Sequence, residues 1–129
     1  MEFYLTRILN DVSFEGALEK VVAALKEEGF GVITEIDVKE TLKKRIDVEF
    51  RKYKILGACN PTYAHQVLEK NDKVGIMLPC NVVVQETKDG AVEVSAVNPM
   101  EAMKPVATAD MEEFGEKVTA HLQNMLNAL

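Results

Sequence analysis
Tryptophan is missing from this 129-residue chain, and cysteine and histidine occur twice each. Two cysteines provide no disulfide framework. A chain of this length can bury about two thirds of its unfolded surface, so it needs no such support, and one α+β domain spanning 1–129 is expected. No apolar run approaches the roughly 18 residues needed to cross a bilayer, and the opening "MEFYLTRILN" lacks the basic-then-apolar order of a secretory signal. The expected compartment is therefore cytoplasmic, where thiols stay reduced, which argues against a Cys59–Cys80 disulfide. Positive charge is scarce as well: 15 Lys and Arg against 21 Asp and Glu leave a net charge of -6. That field has the wrong sign for non-specific binding to nucleic acid or anionic membrane. The locally basic "LKKR", 42–45, reads as a solvated helix face. "GFG", 29–31, lacks the third glycine of a dinucleotide fingerprint and ends a helix where the fingerprint would open one. Ser13 and Ser95 are the only serines and neither sits in a nucleophile elbow, which excludes that class of hydrolase.

What is present alternates between the periods of strand and helix. "EFYLTRIL", 2–9, is rich in β-formers. Ser13 then caps a helix in which Phe14, Ala17, Leu18, Val21, Val22 and Leu25 share a face, and Gly29 stops it. "FGVITEIDV", 30–38, reads as a strand with Val32, Thr34, Ile36 and Val38 on one side, and Ile33, Glu35 and Asp37 on the other. "KETLKKRI" is expected to form a short helix that turns Leu42 and Ile46 inward, before the strand "YKILGA". Asn60-Pro61 opens a further helix. The run "VGIMLPCNVVVQE" reads as a strand buried on both sides through about Val84. Asp89-Gly90 turns the chain into a partner strand "AVEVSAV", Asn98-Pro99 starts a helical turn near Met100–Lys104, and Asp110–Leu129 forms a long closing helix. Five strands and two main helices result. The methionines at 100, 103, 111 and 125 read as core fillers.

Both cysteines precede an asparagine and touch a proline: "Cys59-Asn60-Pro61" and "Pro79-Cys80-Asn81". Asparagine suits a helix cap and proline the first helical turn, so Cys59 stands just ahead of a helix amino terminus, where free amides favour a thiolate. Pro79 cannot donate to a ladder, which marks a bulge, an edge or a strand start at Cys80. Four readings follow: packing, since free cysteine is usually a small buried hydrophobe; a reactive or ligand-binding thiol; a metal site; or the disulfide.

Glu35 and Asp37, two apart on a strand, project about 7 Å apart on one face, where they could share a cation or polar substrate or simply meet water. His65, one turn into the helix that Pro61 begins, could join Cys59 and Cys80 as a zinc or copper ligand set, although the spacing fits no standard metal signature. An exposed helix histidine is the plainer account. His121 falls in the apolar stripe of the last helix and reads as a core or interface residue.

Three stretches in order, "EGFGVITEIDVKETLKKR", "ILGACNPTYAHQVLEK" and "GIMLPCNVVVQE", resemble the prokaryotic family known as domain of unknown function 302. The resemblance implies a small cytoplasmic α+β protein with a curved, mainly antiparallel sheet packed against helices, similar to the class that holds the TATA-binding-protein and birch-allergen architectures. It implies no activity. The family pattern falls on Gly29, Gly31, Thr34, Glu35, Asp37, Gly57, Cys59, Asn60, Pro61, Pro79, Cys80 and Asn81, all in the segments before the hairpin.

Two functions are expected from these residues. In the first, Glu35, Asp37, Cys59, Asn60, Cys80 and Asn81 converge on a pocket that binds a small molecule or a metal such as zinc or copper, with thiol chemistry at Cys59 or Cys80. In the second, the cysteines only pack, and the last helix or an exposed sheet face makes a homodimer.

Overall fold
The computed structural model describes residues 2–105 and 108–129. Five strands, β1 (Tyr4–Leu9), β2 (Gly31–Asp37), β3 (Tyr53–Cys59), β4 (Cys80–Glu86) and β5 (Val92–Val97), form one antiparallel sheet in the order β1-β5-β4-β3-β2. The sheet is open, with β1 and β2 at its edges. Helices α1 (Phe14–Glu27) and α5 (Glu112–Asn127) pack on one face; α2 (Val38–Ile46), α3 (Pro61–Lys70) and α4 (Pro99–Ala102) are shorter.

Each main helix follows from its local chemistry. The Ser13 hydroxyl accepts from the Gly16 amide at 2.9 Å, and Gly29 takes φ 84 just past the end, where the Phe30 amide returns to the Leu25 carbonyl. α1 buries Phe14, Ala17, Val21, Ala24 and Leu25, a narrower stripe than the sequence pattern suggests, since Val22 is exposed and Leu18 half-buried. Along β4 and β5, Val82, Val84, Val92, Val94 and Ala96 point at the helices and are almost fully enclosed. At about 1.5–3 kcal/mol for each fully buried valine or leucine, this face dominates the stability of the fold. A smaller cluster, Val67, Val74, Met103 and Met111, lies under α3, and Phe114 bridges it to the main core. Among the described residues, no helix is long and apolar enough to cross a membrane.

Several expectations are corrected. The run from Val74 does not begin as a strand: Asn71 caps a 3-10 helix, Asp72–Met77, the Leu78–Pro79 peptide is cis, and the ladder starts at Cys80. Proline's missing amide is the reason, and Ile76, expected inside, is 84% exposed. β2 does not keep Val32, Thr34, Ile36 and Val38 on one side. Its register shifts between Val32 and Thr34, so Val32 faces the core while Thr34 and Ile36 turn outward, and Val38 already belongs to α2. α2 buries nothing: Leu42 is half-buried and Ile46 is exposed, because the helix lies beside the edge strand and not over the core. The strand at the start runs from Tyr4 and not from Glu2. The closing helix is preceded by a 3-10 turn, Ala109–Met111.

Candidate functional site
The β3–β4 ladder sets Ala58 opposite Cys80, which leaves Cys59 and Cys80 next to each other at one end of the sheet. Chain direction changes at both: Cys59 ends β3 and Asn60 caps α3, its side-chain oxygen accepting from the Tyr63 amide at 3.2 Å, while Cys80 begins β4 after the cis proline. Between them opens a cavity of about 330 Å³. Its floor is Ala58, Cys59 and Cys80, and Tyr63, Ala64 and Leu68 of α3 form one wall. Gly75, Leu78 and Pro79 form a second, Phe114 and Val118 of α5 a third, and Phe30 with Ile33 the rim. Ile33 is the residue that the β2 register shift throws outward, 62% exposed at the mouth.

The chemistry of this hollow is apolar. Both cysteines are free thiols and half-buried. Burial pushes Cys80 from an ordinary 9.0 up to about 11, and the nearness of Cys59 acts in the same direction, so at neutral pH Cys80 carries its proton.

Behind Tyr63 runs a polar chain. His121 of α5 donates from Nδ1 to the Glu28 carboxylate at 2.9 Å, and its Nε2 shares a hydrogen bond of 3.2 Å with the Tyr63 hydroxyl; Asn124 donates to the same Glu28 oxygen at 3.3 Å. These contacts tie the end of α1 and the first turn of α3 to α5. His121 is thus a partnered histidine between elements, seated against Phe30 and Tyr63.

Of the six residues expected to converge, three do: Cys59, Asn60 and Cys80 line the cavity. Asn81 stands on the opposite face of the sheet, opposite Gly57, because strand neighbours alternate. Glu35 and Asp37 lie farther along β2, opposite Leu56 and Lys54, whereas Gly31 is the residue opposite Cys59. Each has its own employment. Glu35 pairs with Lys54 at 2.7 Å and holds that lysine above its ordinary value, while Asp37 caps α2 by accepting from the Glu40 amide at 3.0 Å. His65 does not line the cavity; it is exposed and meets Glu69 at 3.3 Å. No group of three or more His, Cys, Asp or Glu among the described residues is placed to hold a metal ion. Sequence reasoning did not single out Tyr63, Phe114 or Ile33. Tyr63 had a signal, its place three residues after the Asn60 cap, but Ile33 needed the bulge.

A second hollow of about 350 Å³ lies between α4 and the start of α5, lined by Met100, Met103 and Met111. A third, shallow and about 410 Å³, lies on the outer face of the sheet.

Comparison with known proteins places this geometry in a family. The family model described as "Domain of unknown function DUF302" matches residues 5–129, well beyond the segments that carry the sequence resemblance, so the chain belongs to that family. It is similar to the crystal structure of an uncharacterized conserved DUF302 protein from Bacillus stearothermophilus, with 26% sequence identity over 99% of this chain and 98% of the other, and a TM-score of 0.91. No curated protein matches the chain.

Proposed function
From membership of a family to which no activity is attached, we propose that this protein is a small-molecule binder whose site is the cavity beside Cys59 and Cys80, and that it works in the cytoplasm. The observation that carries the reading is the cavity itself: about 330 Å³, at the lower end of the range for ligand sites, walled by apolar side chains from three strands and two α-helices. Its occupant is apolar or amphipathic and about the size of a fused pair of aromatic rings. The thiols serve as soft, polarisable wall in place of a metal-binding set, since Cys80 stays protonated and, among the described residues, no third His, Cys, Asp or Glu completes a ligand set with the pair.

The test uses 2-naphthol as a fluorescent probe. Saturable binding is expected, with a loss of about tenfold or more in Ala64→Trp, which fills the cavity, and bound naphthol is expected to slow the reaction of Cys59 and Cys80 with iodoacetamide. Absence of saturable binding, or binding indifferent to Ala64→Trp, removes the proposal.

A further inference from the structure
An antiparallel sheet with one face on the core ordinarily presents polar side chains from the other. Here the outer face breaks that rule. Ile36, Ile55, Val83, Ser95 and Thr6 run across its middle from β2 to β1, because the ladders pair Ile36 with Ile55, Ile55 with Val83, Val83 with Ser95, and Ser95 with Thr6. Ile8 on β1 is 52% exposed and Ile36 on β2 is 49% exposed. Among the strand positions of this face, Glu93 is the one charged side chain, in a protein with 28% charged residues. Loss of charge from the centre of a patch is the compositional mark of a protein interface.

The remaining charges say which partner fits. Arg51, at the end where β3 begins, lies over the rings of Phe50 and Tyr53 at 4.4 and 5.6 Å and donates to Gln85 Oε1 at 2.9 Å. Gln85 in turn donates to Glu93 at 3.5 Å. A row Arg51–Gln85–Glu93 therefore carries a cation at one end and an anion at the other. A two-fold axis through its middle sets Arg51 of each copy over Glu93 of the other, so the row is complementary to itself, as an isologous contact requires. The size agrees. Five strands at about 4.8 Å spacing, each with about six residues at roughly 3.3 Å, give roughly 500 Å² in projection and more along the corrugated surface. That is the scale of the roughly 800 Å² each partner gives to a specific interface.

We infer that the outer face of the sheet is the docking surface for a second copy of this chain, with Ile55 and Val83 in the buried centre and reciprocal Arg51–Glu93 pairs fixing the register. The face lies on the side of the sheet away from α1 and α5, so each cavity stays independent of the contact.

Sedimentation velocity across the micromolar range tests this. Wild-type protein is expected at twice the 14.4 kDa chain mass. Val83→Lys points outward and should leave the circular dichroism spectrum intact while giving monomer. Arg51→Glu sets like charges against each other and is expected to raise the dimer dissociation constant by about tenfold or more, and Arg51→Glu with Glu93→Arg is expected to restore it. The charge pair keeps the test decisive should the lysine variant fail to fold. A wild-type monomer assigns the face to some other partner and overturns the inference; so does a dimer indifferent to Val83→Lys and Arg51→Glu, which would put the contact elsewhere, for instance on α5.

Discussion

Gly57 lies directly beneath Thr34 on the β2–β3 ladder, so close that a Cβ on the glycine would collide with the threonine hydroxyl and would stand 2.8 Å from Cγ of Pro79. The two residues are on the outer face, yet Gly57 is buried, because Thr34 and the proline ring close over it. The β2 bulge and the entry into β4 are therefore keyed to one missing side chain, and the same two irregularities shape the cavity mouth.

Gly57→Ala should accordingly destabilise the protein by about 1–3 kcal/mol through overpacking, measured by urea denaturation. The Thr34→Ala and Gly57→Ala double variant is expected to recover part of that loss by removing one of the colliding atoms. Full tolerance of Gly57→Ala would mean that the strands separate easily here.

Cys80 should make stability depend on alkaline pH. An unfolded thiol ionises near its ordinary 9.0, while the folded one holds its proton to about 11. The folded state is thus favoured in full below pH 9 and loses this contribution, on the order of 2–3 kcal/mol, as pH rises from about 9 to about 11. Denaturation curves of wild type and Cys80→Ala across that window should differ in slope, with the variant lacking the thiol's share. Parallel slopes would show that the folded and unfolded thiols ionise alike.

The Glu28–His121–Tyr63 chain should behave as one unit. Tyr63→Phe removes a hydrogen bond and is expected to cost about 1 kcal/mol, and His121→Ala about 2–3 kcal/mol because the half-buried Glu28 carboxylate loses its main partner. The double variant should cost less than the sum, with a coupling of about 0.5–1.5 kcal/mol. Hydrogen exchange should quicken at the first turn of α3 in either variant, since this chain ties that turn to α5. Additive losses would mean that the two side chains act separately.

The sequence carried the strand and helix count in its periodicities, and the caps in single residues: Ser13, Gly29, Asn60 and Asn98 each terminate or begin the helix their chemistry suits. It also marked Cys59 and Cys80 as positions of backbone irregularity. Those are local properties, set within a few residues of chain. Where the irregularities meet is not local. The pairing of Ala58 with Cys80 brings the two Cys-Asn pairs together, and strand alternation then sends Asn81 to the other face. Ladder register likewise sets Glu35 and Asp37 away from the cavity and gives Glu35 its cross-strand partner Lys54, whereas Asp37 takes a local one, the Glu40 amide of the helix it caps. The outward turn of Ile33 depends on the register shift with which β2 pairs with β3. Periodicity records which side chains leave water, but only tertiary packing decides which of them share a wall.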